Sequence, residues 1–137
     1  MNHWLLKSEP ASFGIDDLAK APRRTTTWDG VRNHRAANNL RAMKKGDKAF
    51  FYHSNIGLEI VGIVTISKSG IADPSDSEGK WAAVKVKPVK KLRRPVTLKE
   101  IKADPALDDM ELVRQSRLSV AEVRPVEWEH ILAMSKG

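Results

Sequence analysis

The chain has 137 residues, with 24 Lys and Arg against 17 Asp and Glu for a formal net charge of +7, and it contains no cysteine. That length supports one core, so residues 1–137 read as a single domain. The missing cysteine excludes a disulfide framework, a thiolate zinc site, an iron–sulfur cluster and a cysteine nucleophile, while the basic excess favours polyanionic partners.

The first apolar run predicts a strand over residues 3–7. It lacks the charged flank and cleavage site of a signal peptide, which leaves the cytosol as the default location. The hydrophobic period then predicts a helix from Ile15 to Lys20 and a longer one from Val31 to Lys44, stopped at Gly46-Asp47. Two runs rich in Phe, Tyr, Ile, Val and Thr, Lys48 to His53 and Glu59 to Ser67, are expected to pair antiparallel across Ser54-Asn55-Ile56-Gly57. The second run contains Ile60-Val61-Gly62-Ile63-Val64, the longest apolar stretch. It falls far short of the roughly 20 residues a membrane helix needs, so no membrane partner is expected.

Residues 71–80, with Asp73-Pro74-Ser75-Asp76-Ser77-Glu78-Gly79, carry turn formers and predict a mobile loop. From Trp81 to Val89 the chain alternates, with Ala82, Val84 and Val86 on one strand face and Lys85 and Lys87 on the other. Thr97-Leu98-Lys99-Glu100 is a capping box that opens a short helix ended by Asp104-Pro105. A helix over 107–115, a strand over 118–123 and a helix opened by Pro125, with Trp128, Ile131 and Leu132 on one side, complete the chain. Short strands interrupted by helices do not follow the alternation of a doubly wound parallel sheet. The expected fold class is α+β, on a curved or barrel-like sheet.

Common catalytic signatures find little support. His3, His34, His53 and His130 lie far apart with no i, i+4 pair, so no metal is expected. There is no glycine-framed serine, and the glycines are too scattered for a dinucleotide or phosphate-cradling loop, so no cofactor is expected. The informative segment is Trp28-Asp29-Gly30-Val31-Arg32-Asn33, which puts an indole, a carboxylate, a guanidinium and an amide on what reads as a loop before a helix. Trp4, Trp81 and Trp128 sit at periodic positions with ordinary packing explanations. Between Lys80 and Arg94 there are seven basic residues and no acid, which predicts a basic stripe suited to phosphates.

Five spaced motifs carry a family resemblance. They are His3-Trp4-Leu5-Leu6-Lys7-Ser8-Glu9-Pro10, Ile15-Asp16-Asp17-Leu18, Trp28-Asp29-Gly30-Val31-Arg32-Asn33, Phe51-Tyr52-His53-Ser54 and Arg114-Gln115-Ser116-Arg117-Leu118-Ser119-Val120. In this order the sequence resembles the EVE-domain family along essentially its whole length. The resemblance implies a PUA-like fold, a bent β-barrel wrapped by helices, and kinship with YTH domains, which hold a methylated adenine in an aromatic cage. It implies recognition of a modified base in DNA or RNA. By position, Trp28 corresponds to a cage wall, Asn33 to a polar group at the next helix start, and Tyr52, His53 and Ser54 to a strand end lining the pocket, with Lys7, Ser8, Leu118 and Ser119 on neighbouring strand ends.

A flipped base needs a flat wall and edge-on polar groups, and Arg32, Arg35, Lys85 and Lys87 would then hold phosphates. The expectation is a non-catalytic nucleic-acid-binding module with no catalytic residue, monomeric by default. The alternatives are a small enzyme acting on modified nucleotides, with Asp29 or Glu9 working alongside His53, and a protein-interaction domain.

Overall fold

The computed structural model describes residues 2–136. In chain order it contains β1 (His3–Ser8), α1 (Pro10–Phe13), α2 (Ile15–Lys20), β2 (Thr26–Trp28), α3 (His34–Ala42), β3 (Lys48–His53) and β4 (Glu59–Ala72). These are followed by β5 (Ala82–Thr97), α4 (Leu98–Ala103), α5 (Glu111–Arg114), β6 (Val120–Val123) and α6 (Pro125–Met134). The strands form one six-stranded mixed sheet in the order β2-β5-β4-β3-β1-β6, in which β1 runs parallel to β3 and the remaining pairs are antiparallel. The α+β class holds. The sheet is not closed, with β2 and β6 as its two edges.

Neighbouring side chains on β3 point to opposite faces, so the sheet divides the core. Phe50 stacks on Trp128 of α6, with centroids 3.9 Å apart. Phe51, on the other face, meets Trp28 edge-on at 5.6 Å. The slip that bends β4 against β3 falls at Val61, between the pairs Phe51–Gly62 and Tyr52–Ile60. Gly62 is required there because a Cβ would lie 2.9 Å from both the Lys90 carbonyl oxygen and Ile15 Cδ1. Asp47, buried behind the β3 start, accepts from Trp4 Nε1 and from the Lys44 N–H, both at 3.0 Å.

Several boundaries differ from the sequence expectation, each for a local reason. The helix expected from Val31 begins only at His34, because Asn33 caps it by accepting from the Ala36 N–H at 3.0 Å while Gly30, turned at a φ of 74°, and Arg32 are held outside the helix by Asp73. The strand expected to end at Ser67 continues to Ala72, and the one expected to end at Val89 continues to Thr97. Register shifts along this pair accommodate Pro88. The expected 107–115 helix is broken by an extended, buried Met110 into a 3-10 turn (Pro105–Leu107) and α5. The capping box at Thr97 forms as expected, with Glu100 accepting from the Thr97 N–H at 3.1 Å. None of the described helices is long and apolar enough to cross a membrane.

Candidate functional site

Trp28 lies at the end of β2, not on a loop. It pairs with Val84 of β5 and is 8% exposed. Its position at a strand end makes it both a core residue and a wall. Beside it opens a cleft of about 820 Å³ lined by residues of β1, α1, β2 and the segment leading to α3, within the range of small-molecule sites. Lys7, Ser8, Trp28, Arg32 and Ser119 all line it, so the structure brings these sequence-nominated residues together. Glu9, Ser12, Phe13, Thr26, Thr27 and Asp29 line it too. Of these, Thr26 and Thr27 sit in a β-branched run, Thr25-Thr26-Thr27, whose strand character was the available signal.

The rim is built by a residue that sequence reasoning assigned to a mobile loop. Asp73 is 1% exposed and is tied down. Its Oδ2 accepts from the Gly30 N–H at 2.8 Å and from Arg32 Nη1 at 2.9 Å, and its Oδ1 from the Ser75 N–H at 2.7 Å and the Ser75 hydroxyl at 2.6 Å. Burial pushes this carboxyl up, but the hydrogen bonds from Ser75, Arg32 and Gly30 outweigh burial and hold it well below the ordinary carboxylate range. Asp76 ties the same loop by accepting from the Lys80 and Trp81 N–H groups. The Arg32 guanidinium also lies 5.5 Å from the Trp81 ring centroid, so it is fixed on three sides. The only advance signal was Asp73-Pro74-Ser75, an Asx-turn pattern.

Lys7, half-buried, donates to the Ser116 carbonyl at 2.9 Å and lies 5.9 Å from the Tyr52 ring. Burial lowers its ammonium below the ordinary value. The Ser8 hydroxyl donates to the Phe13 carbonyl at 2.6 Å, fixing α1 against the mouth of the cleft.

Other nominated residues lie outside this lining. Asn33 and Leu118 border a neighbouring concavity with Arg35, which donates to Glu111 at 2.6 Å. Tyr52 is buried and points away from His53, on the opposite face of the sheet. His53 Nε2 accepts from the Ile15 N–H at 3.1 Å at the start of α2. Its pKa is pushed below the ordinary value by burial, against the pull of Glu59 and Asp16. Ser54 follows it and donates its N–H to the Ser8 carbonyl at 2.9 Å. Lys85 and Lys87 line a third concavity, on the far side of Thr26 and Thr27. Among the described residues, no three His, Asp or Glu side chains gather as they would around a metal ion.

This architecture has known counterparts. The family model of the EVE domain matches residues 2–134. The chain belongs to the EVE-domain family. It is 38% identical to thymocyte nuclear protein 1 of Rattus norvegicus, over 99% of this chain and 74% of that protein. An NMR structure of a Rhodopseudomonas palustris protein is similar at 44% identity and a TM-score of 0.94, covering 99% of this chain and 94% of that one. The crystal structure of human thymocyte nuclear protein 1, solved in complex with DNA containing 5-methylcytosine, matches at 36% identity and a TM-score of 0.93, covering 100% of this chain and 99% of that one. The fold is accordingly PUA-like, as the EVE resemblance implied.

Proposed function

We propose that this EVE domain is a non-catalytic nucleic-acid-binding module that takes a modified base, from DNA or RNA, into the Trp28 cleft. The observation that carries the reading is the cleft itself, where an aromatic wall, apolar Phe13 and Val31, and the hydroxyls of Ser12, Thr26 and Thr27 converge beside basic side chains. The likeness to human thymocyte nuclear protein 1, whose structure holds 5-methylcytosine-containing DNA, points the same way. Trp28 supplies the surface on which a flipped base rests, and the neighbouring hydroxyls meet its polar edge. A methyl group on that base packs against Phe13 and Val31, where one extra carbon is worth about 1–3 kcal/mol of discrimination.

Arg32 and Arg35, expected from sequence to hold phosphates, are engaged by Asp73 and Glu111. In this reading Arg32 shapes the rim, and Lys85 and Lys87 carry the phosphate contacts. The non-catalytic reading is supported by His53. Its Nε2 is spent on the Ile15 N–H, and the ring is not part of the lining that holds Glu9 and Asp29.

The test is titration of matched oligonucleotides carrying cytosine or 5-methylcytosine, with the probe recovered and weighed by mass spectrometry. Tighter binding of the methylated strand by about tenfold, with the probe unaltered, is expected. Equal affinity for the two strands removes the modified-base reading, and a time-dependent product promotes the enzyme.

A further inference from the structure

We propose that a nucleic-acid strand passes over the β2 edge of the sheet through three adjoining concavities, its phosphates resting in the two outer ones on opposite sides of the base held at Trp28. This deepens the base-binding reading and rests on it. Charge is sorted along this path. The central cleft carries Lys7 and Arg32 against Glu9 and Asp29, a balance that suits a neutral base and repels a phosphate from two of its walls.

The outer concavities are different. One, of about 440 Å³, is lined by Arg23, Lys68, Lys85 and Lys87 and by no carboxylate, and none of these four cations forms an ion pair among the described residues. The other, of about 300 Å³, is lined by Arg35, Arg114 and Arg117, again with no carboxylate. There Arg35 is held by Glu111, Arg114 lies 3.9 Å from Asp109, and Arg117 has no ion pair among the described residues. The motif Arg114-Gln115-Ser116-Arg117 therefore has a place at the site that base recognition alone does not give it.

The three concavities are contiguous. Thr26 and Thr27 line both the central cleft and the Arg23 side. On the opposite side, Lys7 of the central cleft donates to the carbonyl of Ser116, which lines the Arg117 side. A strand with its base at Trp28 thus meets cations whichever way it leaves.

The backbone around Arg23 adds an independent observation. Arg23 and Arg24 have φ angles of 57° and 50°, in the left-handed region that bulky L-residues rarely occupy. The Arg24 N–H donates to the Ala21 carbonyl at 2.7 Å and the Thr25 hydroxyl to the Arg23 carbonyl at 3.0 Å, so the kink is fixed. It is a built turn that sets Arg23 at the mouth of the outer concavity facing Lys85 and Lys87.

The test compares wild type with the double variants Arg23→Gln/Lys68→Gln and Arg114→Gln/Arg117→Gln, all exposed positions whose folding is checked by thermal melting. Three probes are used: 5-methylcytosine nucleoside, followed by NMR shifts at millimolar concentration, and single strands carrying the modified base with flanking nucleotides only on the 5′ side or only on the 3′ side. Nucleoside affinity should be unchanged in both variants. Each variant should lose about fivefold or more on one flanked probe and little on the other, with the affected flank opposite in the two variants and a salt slope shallower by about 0.7 per lost contact. Loss on the same flank in both variants, or on neither, overturns the strand path and leaves base binding standing. Flanked probes that bind wild type no tighter than the nucleoside do the same. Absence of all binding to wild type, nucleoside included, overturns the base reading and the path with it.

Discussion

Arg32 and Asp73, 41 residues apart, share a single contact that fixes the mouth of the cleft: one carboxylate oxygen accepts from both the Arg32 guanidinium and the Gly30 backbone. Asn at position 73 can present only one acceptor oxygen to the four donors now served, and its amide nitrogen would face a donor. Asp73→Asn is therefore expected to cost about 1–3 kcal/mol of stability, read as a lower melting temperature. Binding of the modified base should weaken, while the salt dependence set by Lys85 and Lys87 stays as in wild type. Unchanged melting and affinity would show that Gly30 and Arg32 hold the rim without it.

Trp28 is both wall and core, so its truncation is expected to do two things at once. Trp28→Ala removes a ring packed edge-on against Phe51 and should destabilise by about 3–5 kcal/mol. Trp28→Phe keeps a ring in the same slot. It should melt much closer to wild type while retaining only part of the stacking contribution, roughly 1–3 kcal/mol per base in full. Melting and titration run on both variants separate the two roles, and a Phe variant that binds like wild type would argue that the indole does not touch the ligand.

His53 gives a pH signature of stability. Its folded value lies below the ordinary 6.5 because burial disfavours the charged ring. On acidification the unfolded chain takes up the proton first, so the contribution is complete above about 6.5 and declines as the pH falls toward the folded value. His53→Gln keeps an acceptor for the Ile15 N–H without titrating and should flatten the slope of melting temperature between pH 7 and 5. His3, lowered likewise by burial, leaves part of that slope in place. His53→Leu leaves the Ile15 N–H without its acceptor and should lose about 1 kcal/mol at neutral pH.

What could be read in advance was whatever is decided locally. The stretch His3 to Lys7, the helix Ile15–Lys20 and the Thr97 capping box depend on side-chain alternation, period and a cap that lie within a few residues of one another, and they form nearly as read. β2 escaped notice because three residues carry little pattern and its strand character is completed by pairing with β5. The extent of β5 escaped because Pro88 reads as a stop, whereas a register shift lets the strand pass it.

At the site, the Trp28 motif and the basic stripe were visible as composition. Asp73 was not, since its partners Gly30 and Arg32 come from a distant part of the chain. Arg23 was not, since its importance lies in a backbone angle. The EVE resemblance implies Tyr52 and His53 together at a strand end lining the pocket, yet strand alternation sends them to opposite faces, and neither is among the residues lining the cleft.

The placement of β1 between β3 and β6 also governs when the molecule can finish folding. The Lys7 side chain donates to Ser116, 109 residues further on, and β6 pairs along β1 just beyond that point. Until residues 120–123 have left the ribosome, one edge of β1 stands bare, the unpaired N–H and C=O groups of Trp4, Leu5 and Leu6 open to any other extended chain. The last strand to be made is thus the one that shields the first, and a chain stopped short of Val120 would keep an adhesive edge next to an unfinished cleft.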